Sequence, residues 1–281
     1  MVVETLKIVY DQNREKDSLF LRNLLKEQLQ YFVLNFVYNS IYGEKFVFKG
    51  GTCLRFCFGL PRLSEDLDFD VEDFKNFSFK NFSSALGLYF KNQLKYKDLK
   101  IKISGKNKMI YLQFPVLKEI GFPVEEKRPT ENILFLRIDL FGIKGRYFNK
   151  EISLKSTYNF SILMRRYALP DLFACKVAAI LGRKGPVGKE VRPRIKGRDF
   201  FDLFWFKENG VVPNWKFLFS LTGLKTEEIV LARLREKIKE AVRKKQVIKT
   251  DLLPFFANPT FVSNFINNLE AISKPCLQLR F

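Results

Sequence analysis

Between Lys16 and about Ile41 the apolar residues Leu21, Leu24, Leu25, Leu29, Phe32 and Phe36 recur at helical spacing, which predicts an amphipathic helix near the start of the chain. The apolar run Phe46-Val47-Phe48, followed by Lys49-Gly50-Gly51-Thr52 and then helix-like residues from Cys53 to Phe58, reads as strand, tight turn and helix. Thr52 is placed to cap that helix. Asp66-Leu67-Asp68-Phe69-Asp70-Val71 alternates polar and apolar positions, the pattern of a half-buried strand with one acidic face.

A further helix is expected within Phe77 to Leu94. Strands are expected at Lys100 to Ser104, Met109 to Phe114, Ile133 to Leu140 and Phe160 to Tyr167, with polar turns at Gly105-Lys106-Asn107 and Pro129-Thr130. After Pro170 the pattern turns helical through Leu181, and again over Asp199 to Lys207, Lys225 to Lys244 and Phe261 to Ile272. The expectation is therefore an α/β (α+β) chain, with a mixed sheet core in residues 1–169 and a helical lobe in residues 170–281.

Composition narrows the chemistry more than the fold. With 281 residues, 47% of them hydrophobic, the chain can bury a sizeable core, and 31 Phe residues must supply much of it. The absence of histidine removes Ser-His-Asp and Cys-His nucleophile pairs and the His-Glu-x-x-His zinc motif, leaving carboxylate, lysine and metal as catalytic vocabulary. Cys53 and Cys57, one helical turn apart, lack the further soft ligands of a zinc site and read as a buried helix face. A formal charge of +19 favours a polyanionic partner, nucleic acid above all. No signal peptide and no bilayer-length apolar run is evident, so the expected setting is the reducing cytoplasm, without membrane association.

In an extended strand, residues two apart share a face and lie about 6.6 to 6.8 Å apart, so Asp66 and Asp68 can lean toward one point and hold magnesium. Carboxylate-bridged metal ions about 3.5 to 4 Å apart support in-line phosphoryl displacement without histidine. A solvated strand face of mutually repelling aspartates is the simpler explanation of the same residues. A calcium loop is not, because Val71 and Phe77 stand where its turn glycine and bidentate Glu would be required. The Gly50-Gly51-Thr52 turn upstream adds bare backbone amides at a helix start, a cradle for a triphosphate. It is not a Walker A loop, and the nearest look-alike, Gly182 to Lys189, has the wrong spacing.

Taken together, Lys49-Gly50-Gly51-Thr52-Cys53-Leu54-Arg55, Gly59, Arg62, Ser64 and Asp66-Leu67-Asp68-Phe69 resemble the AbiEii/AbiGii toxin branch of the nucleotidyltransferase superfamily. Lys176-Val177-Ala178-Ala179 with Arg183, then Arg198-Asp199-Phe200-Phe201-Asp202-Leu203, are similar to that family's later elements. The resemblance implies that Asp66 and Asp68 bind Mg2+ (or Mn2+), that Lys176 contacts the nucleotide, and that Asp199 is required for activity. The family's Lys-x-Asp element corresponds to Arg137-Ile138-Asp139, which makes Asp139 a third metal carboxylate and Arg137 a candidate nucleotide contact in place of the usual lysine. Gly50, Gly51 and Thr52 complete the nucleotide-binding set, in a cleft expected between the two lobes. In some relatives a serine at the position of Ser64 is phosphorylated, so Ser64 is a candidate regulatory residue beside its ordinary role in a turn.

Residue-level reasoning supports part of this set independently. Lys176 lies in the apolar segment Phe173 to Ile180, where a buried charge needs a partner or a ligand, although a lysine at a helix edge can also snorkel to water. Arg198 and Asp202 are spaced as a surface i,i+4 pair, which would leave Asp199 to face the site. Arg183, Lys184, Lys189, Arg192, Arg194, Lys196 and Arg198, against Glu190 alone, predict a basic loop able to grip phosphates or RNA. The helix around Arg233 to Lys245 carries interspersed acids and is expected to turn its Ile and Val residues inward.

The resulting expectation is a toxin that moves a nucleoside monophosphate from an NTP to a hydroxyl at the 3′ end of a tRNA and is checked by a cognate antitoxin. The alternatives are the same transfer onto a small hydroxylated molecule, or a catalytically silent RNA- or partner-binding module of the same fold.

Overall fold

The computed structural model describes residues 1–104, 109–125, 129–157, 159–187, 190–193 and 195–277. These form two compact units: Met1–Ile143 with Glu151–Arg166, and Lys144–Lys150 with the chain from Tyr167 onward. The first contains helices α1 (Val2–Asp11), α2 (Ser18–Tyr38), α3 (Gly50–Phe58) and α4 (Phe79–Leu88). Its strands, apart from the end residues Lys150 and Tyr167, are β1 (Phe46–Lys49), β2 (Leu67–Val71), β3 (Lys100–Ser104), β4 (Met109–Pro115), β5 (Ile133–Gly142), β6 (Lys150–Ser156) and β7 (Ser161–Tyr167). Among the described residues these strands make one mixed seven-stranded sheet in the order β3-β4-β5-β2-β1-β7-β6.

The sheet's apolar face explains its order. Phe46, Phe48, Leu67, Phe69, Val71, Ile138 and Leu140, on the central strands β1, β2 and β5, are all essentially inaccessible. Phe69 packs between Phe46 and Phe48, with ring centroids at 5.3 and 5.2 Å. Phe82 of α4 stacks on Phe46 at 5.3 Å. Strand β2 is therefore covered more fully than a half-buried strand, and the polar residues of its other face meet one another and their neighbours instead of bulk water.

Asp17 caps α2 by accepting from the Leu19 and Phe20 amides. The helix is less amphipathic than its apolar periodicity suggests, because Asn23, Glu27 and Gln30 are buried along with its leucines. Two of these reach the segment that follows β1: Glu27 is paired with Arg55 of α3 at 2.9 Å, and Gln30 Nε2 donates to the Ser64 carbonyl at 3.0 Å.

The second unit begins with α5 (Leu169–Gly182), which has Pro170 in its first turn. A short antiparallel hairpin follows, β8 (Lys184–Val187) with β9 (Glu190–Pro193), and then α6 (Gly197–Glu208), α7 (Trp215–Thr222), α8 (Glu227–Arg243), α9 (Lys245–Leu252), α10 (Pro259–Asn267) and α11 (Leu269–Leu277). Phe173 of α5 stacks on Phe206 of α6 at 4.4 Å. Asp171, fully buried, accepts from the Asn149 amide at 2.7 Å and from Asn214 Nδ2 at 2.6 Å, fixing the 144–150 segment to α5. Helix α8 turns Val230, Leu231, Leu234, Ile238 and Ala241 inward, as its pattern predicts.

Several elements depart from the sequence reading. Helices α1, α7 and α9 and strand β6 were not anticipated, and α10 ends at Asn267 before α11 begins. The Phe77 to Leu94 segment divides into α4 and a π-helical turn over Tyr89–Gln93. The basic segment after Arg183 contains the β8-β9 hairpin and is not an irregular loop. Lys189 and Arg194 of that segment, like the Gly105-Lys106-Asn107 turn, lie outside the described residues. Among the described residues no helix is long and apolar enough to cross a membrane.

Candidate active site

The β1-α3 junction is built around contacts that exclude side chains. Lys49 occupies the N-cap position in extended conformation without a side-chain capping bond, and Gly50 follows at φ +79°. A Cβ on Gly50 would run into the Asp68 carboxylate, and one on Gly51 would lie 2.8 Å from an Arg62 guanidinium nitrogen. Gly50 is thus required both by its φ and by Asp68, whereas at Gly51 the obstacle is the end of the Arg62 side chain, with the Ser64 hydroxyl at 3.1 Å. Thr52 is not the cap that the sequence suggested: it lies inside the first turn of α3, fully buried, where its hydroxyl donates to the Asp66 carbonyl and shares a 2.8 Å hydrogen bond with Ser64. What the turn offers a ligand is its backbone amides, since the first N–H groups of a helix have no intrahelical acceptor.

Opposite this turn, the parallel pairing of β2 with β5 sets Asp68 directly beside Asp139, and the antiparallel pairing of β1 with β2 sets Lys49 on the other side of Asp68. The aspartates of this segment have different fates. Asp70, 4% exposed, is paired with Lys49 Nζ at 2.6 Å, and that ammonium also lies 4.9 Å from the centre of the Phe141 ring. Asp66 is paired with Arg137 Nη2 at 2.5 Å, while Nε of the same guanidinium lies 3.1 Å from Asp139 Oδ1. Asp68 has no ion pair within 4 Å among the described residues. Burial would lower the Arg137 pKa, but the Asp66 and Asp139 carboxylates outweigh it and raise the group above its ordinary value. The aspartates are therefore not a solvated strand face; they are distributed around two basic side chains.

This arrangement brings Gly50, Gly51, Thr52, Asp66, Asp68, Arg137 and Asp139 into one neighbourhood. Asp68 and Asp139 supply hard oxygen donors side by side on one sheet face, with Asp66 at the adjoining strand end, a donor set whose chemistry suits a divalent cation. With Arg137 drawn in between Asp66 and Asp139, no three acidic or soft side chains among the described residues are gathered into a metal-holding group. Ser64 is 6% exposed, with its hydroxyl bonded to Thr52 and its carbonyl to Gln30, so here it braces the turn.

Lys176 and Asp199 form a second cluster, within the second unit. Lys176 Nζ lies 3.0 Å from Asp199 and 2.8 Å from Asp202, and Arg183 approaches the other Asp199 oxygen at 2.7 Å. Burial raises the Asp199 pKa, but Lys176 and Arg183 outweigh it and hold the group below its ordinary value. Lys196, adjoining this cluster, is lowered by burial and by the charge of Arg198. The expected Arg198-Asp202 surface pair does not form: Arg198 turns to Asp251, and Asp202 is fully buried against Lys176. Lys176 consequently neither snorkels nor stands alone.

Sequence reasoning missed Lys49 and Arg183 as ion-pair partners, and Arg62 as the side chain packed against Gly51. The register sets Lys49 opposite Asp68, and its ammonium reaches the diagonal aspartate, Asp70, a choice that depends on the strand pairing.

The sequence model of the family described as "Nucleotidyl transferase AbiEii toxin, Type IV TA system" matches residues 34–256. Among solved structures, the nucleotidyltransferase toxin MenT4 from Mycobacterium tuberculosis is similar in fold, with 14% identity, a TM-score of 0.53, and coverage of 98% of this chain and 90% of that one. The JHP933 structure from Helicobacter pylori matches at 17% identity and a TM-score of 0.49, covering 91% of this chain and 92% of that one. Among curated proteins, no sequence matches.

Proposed function

Because the chain belongs to the AbiEii nucleotidyltransferase toxin family, we propose that it transfers a nucleoside monophosphate from an NTP to the 3′-terminal hydroxyl of a tRNA, using a divalent cation held by Asp66, Asp68 and Asp139. The observation that carries this reading is the register of β2 on β5, which sets Asp68 beside Asp139 within contact of the glycine turn at the start of α3.

Each group has a defined task. The amides of Gly50, Gly51 and Thr52 bind triphosphate oxygens, favoured by the positive end of α3. The Thr52 hydroxyl holds the β2 approach in place through the Asp66 carbonyl and does not itself touch the nucleotide. Mg2+ or Mn2+ bound by the carboxylates would neutralise the triphosphate and ease attack at the α-phosphorus. Arg137, whose side chain is more exposed than the carboxylates it pairs with, would contact phosphate oxygens. In the second unit, Lys176 is the nucleotide ligand that the family resemblance implies, and Asp199 and Asp202 hold its ammonium in a single place. The acceptor hydroxyl displaces pyrophosphate from the α-phosphorus, with its proton passing to a carboxylate or to solvent.

The family implies an antitoxin partner, and the charge of +19 supports an RNA acceptor over a small molecule. Incubating the protein with Mg2+, each α-labelled NTP in turn and total tRNA tests the proposal. Label should appear on tRNA 3′ ends with release of pyrophosphate. Transfer to small hydroxylated acceptors but never to tRNA would replace the acceptor, and no transfer under any condition would favour a silent binding module.

A further inference from the structure

The proposed metal site already contains a cation of its own. Arg137 spans Asp66 and Asp139, the two carboxylates that flank Asp68, with contacts of 2.5 and 3.1 Å, and its side chain remains 36% exposed. Its place follows from β5: Arg137 and Asp139 are two apart on one strand and share a face, and Tyr111 of β4 stands opposite Arg137. We propose that Arg137 is an exchangeable stand-in for the divalent cation, one that holds the acidic pair in the absence of nucleotide and gives it up when a triphosphate offers the guanidinium a better anion. The inference rests on the reading of Asp66, Asp68 and Asp139 as metal carboxylates and concerns what competes for them.

Two observations favour exchange over a permanent salt bridge. The Arg137 Nε and Asp139 Oδ1 atoms meet as an ion pair without the alignment of a hydrogen bond, so the contact is electrostatic and not geometrically locked. In addition, the Arg137 side chain is 36% exposed, against 22% for Lys49 and 12% for Lys176, and its partner Asp66 is 17% exposed where Asp70 and Asp202 are 6% and 0%. A planar guanidinium binds phosphate oxygens as well as carboxylate, so it can change partners without losing its charge-assisted bonds. The consequence is coupling: metal alone must displace Arg137 and binds weakly, whereas metal arriving with a triphosphate finds the acids released.

Manganese binding to the full chain tests this, by titration calorimetry with and without a non-hydrolysable NTP analogue, in wild type, Arg137→Gln, Arg137→Lys and Asp68→Asn. Without nucleotide, Arg137→Gln should bind Mn2+ about tenfold more tightly than wild type, within the usual range of coupling between two sites, and the analogue should raise its metal affinity less. Arg137→Lys, which keeps the charge but cannot span two carboxylates, should fall between them and serves where the neutral variant does not fold. Unchanged or weaker Mn2+ binding by both Arg137 variants, with Asp68→Asn abolishing it, overturns the exchange and leaves the metal assignment standing. Mn2+ binding by Asp68→Asn at wild-type strength overturns the metal assignment, and the exchange with it.

Discussion

Gly50 cannot carry a side chain for two separate reasons: its φ of +79° and the Asp68 carboxylate that fills the space a Cβ would need. Gly50→Ala should therefore displace Asp68, lowering nucleotidyl transfer on the order of a hundredfold, comparable to removing one preorganised stabilising group, together with a loss of about 1 kcal/mol or more in stability from the strained backbone. Transfer at wild-type rate would mean that Asp68 has no exacting position to lose. At Asp199 the lowered pKa carries a definite sign. Its ion pairs with Lys176 and Arg183 contribute stability that is fully present above the unfolded value near 3.8 and is lost as the pH falls through the lower folded value. Urea unfolding at descending pH below about 4 should show the difference between wild type and Asp199→Asn shrinking. Parallel curves would remove Asp199 from the acid response. The sequence exposed Asp66 and Asp68, because alternation marks a strand face, but not Arg137's double pairing, which depends on which strand lies beside β2.

Strand β2 does two jobs at once. Its even positions Asp68 and Asp70 face the charged group, and its odd positions Leu67, Phe69 and Val71 anchor the aromatic core. Phe69→Ala should cost about 3 to 5 kcal/mol in denaturant unfolding, since it removes a fully buried ring that contacts Phe46 and Phe48. A loss below about 1 kcal/mol would mean that the site's scaffold is not this core. Strands β2, β4, β5 and β7 and helix α8 were legible because each buries one consistent set of positions. Strand β6 was not, because Ile152 and Leu154 are 67% and 70% exposed on a sheet edge and leave no buried alternation to read. Helix α9 begins with Lys244 as its N-cap, without a side-chain capping bond, so no start signal marked it.

At the scale of the molecule, the net charge of +19 favours polyanionic ligands, and the absence of histidine leaves carboxylates, lysine and arginine to do the proposed chemistry. Each unit answers with a cluster of its own, Asp66, Asp68, Arg137 and Asp139 in the first, and Lys176, Arg183, Asp199 and Asp202 in the second. Of the second cluster, Lys176 and Asp199 were chosen only through family resemblance. Their contact joins α5 to α6 across a stretch of intervening chain, and no local pattern announces such a pairing. The central claim is that Asp68 and Asp139, brought side by side by the β2-β5 register, form the catalytic acidic pair. Transfer of label from an α-labelled NTP to tRNA, compared among wild type, Asp68→Asn and Asp139→Asn with folding verified by circular dichroism, tests it most directly. Each variant should lose activity on the order of a hundredfold or more; transfer near the wild-type rate by either folded variant would remove that residue from the catalytic pair.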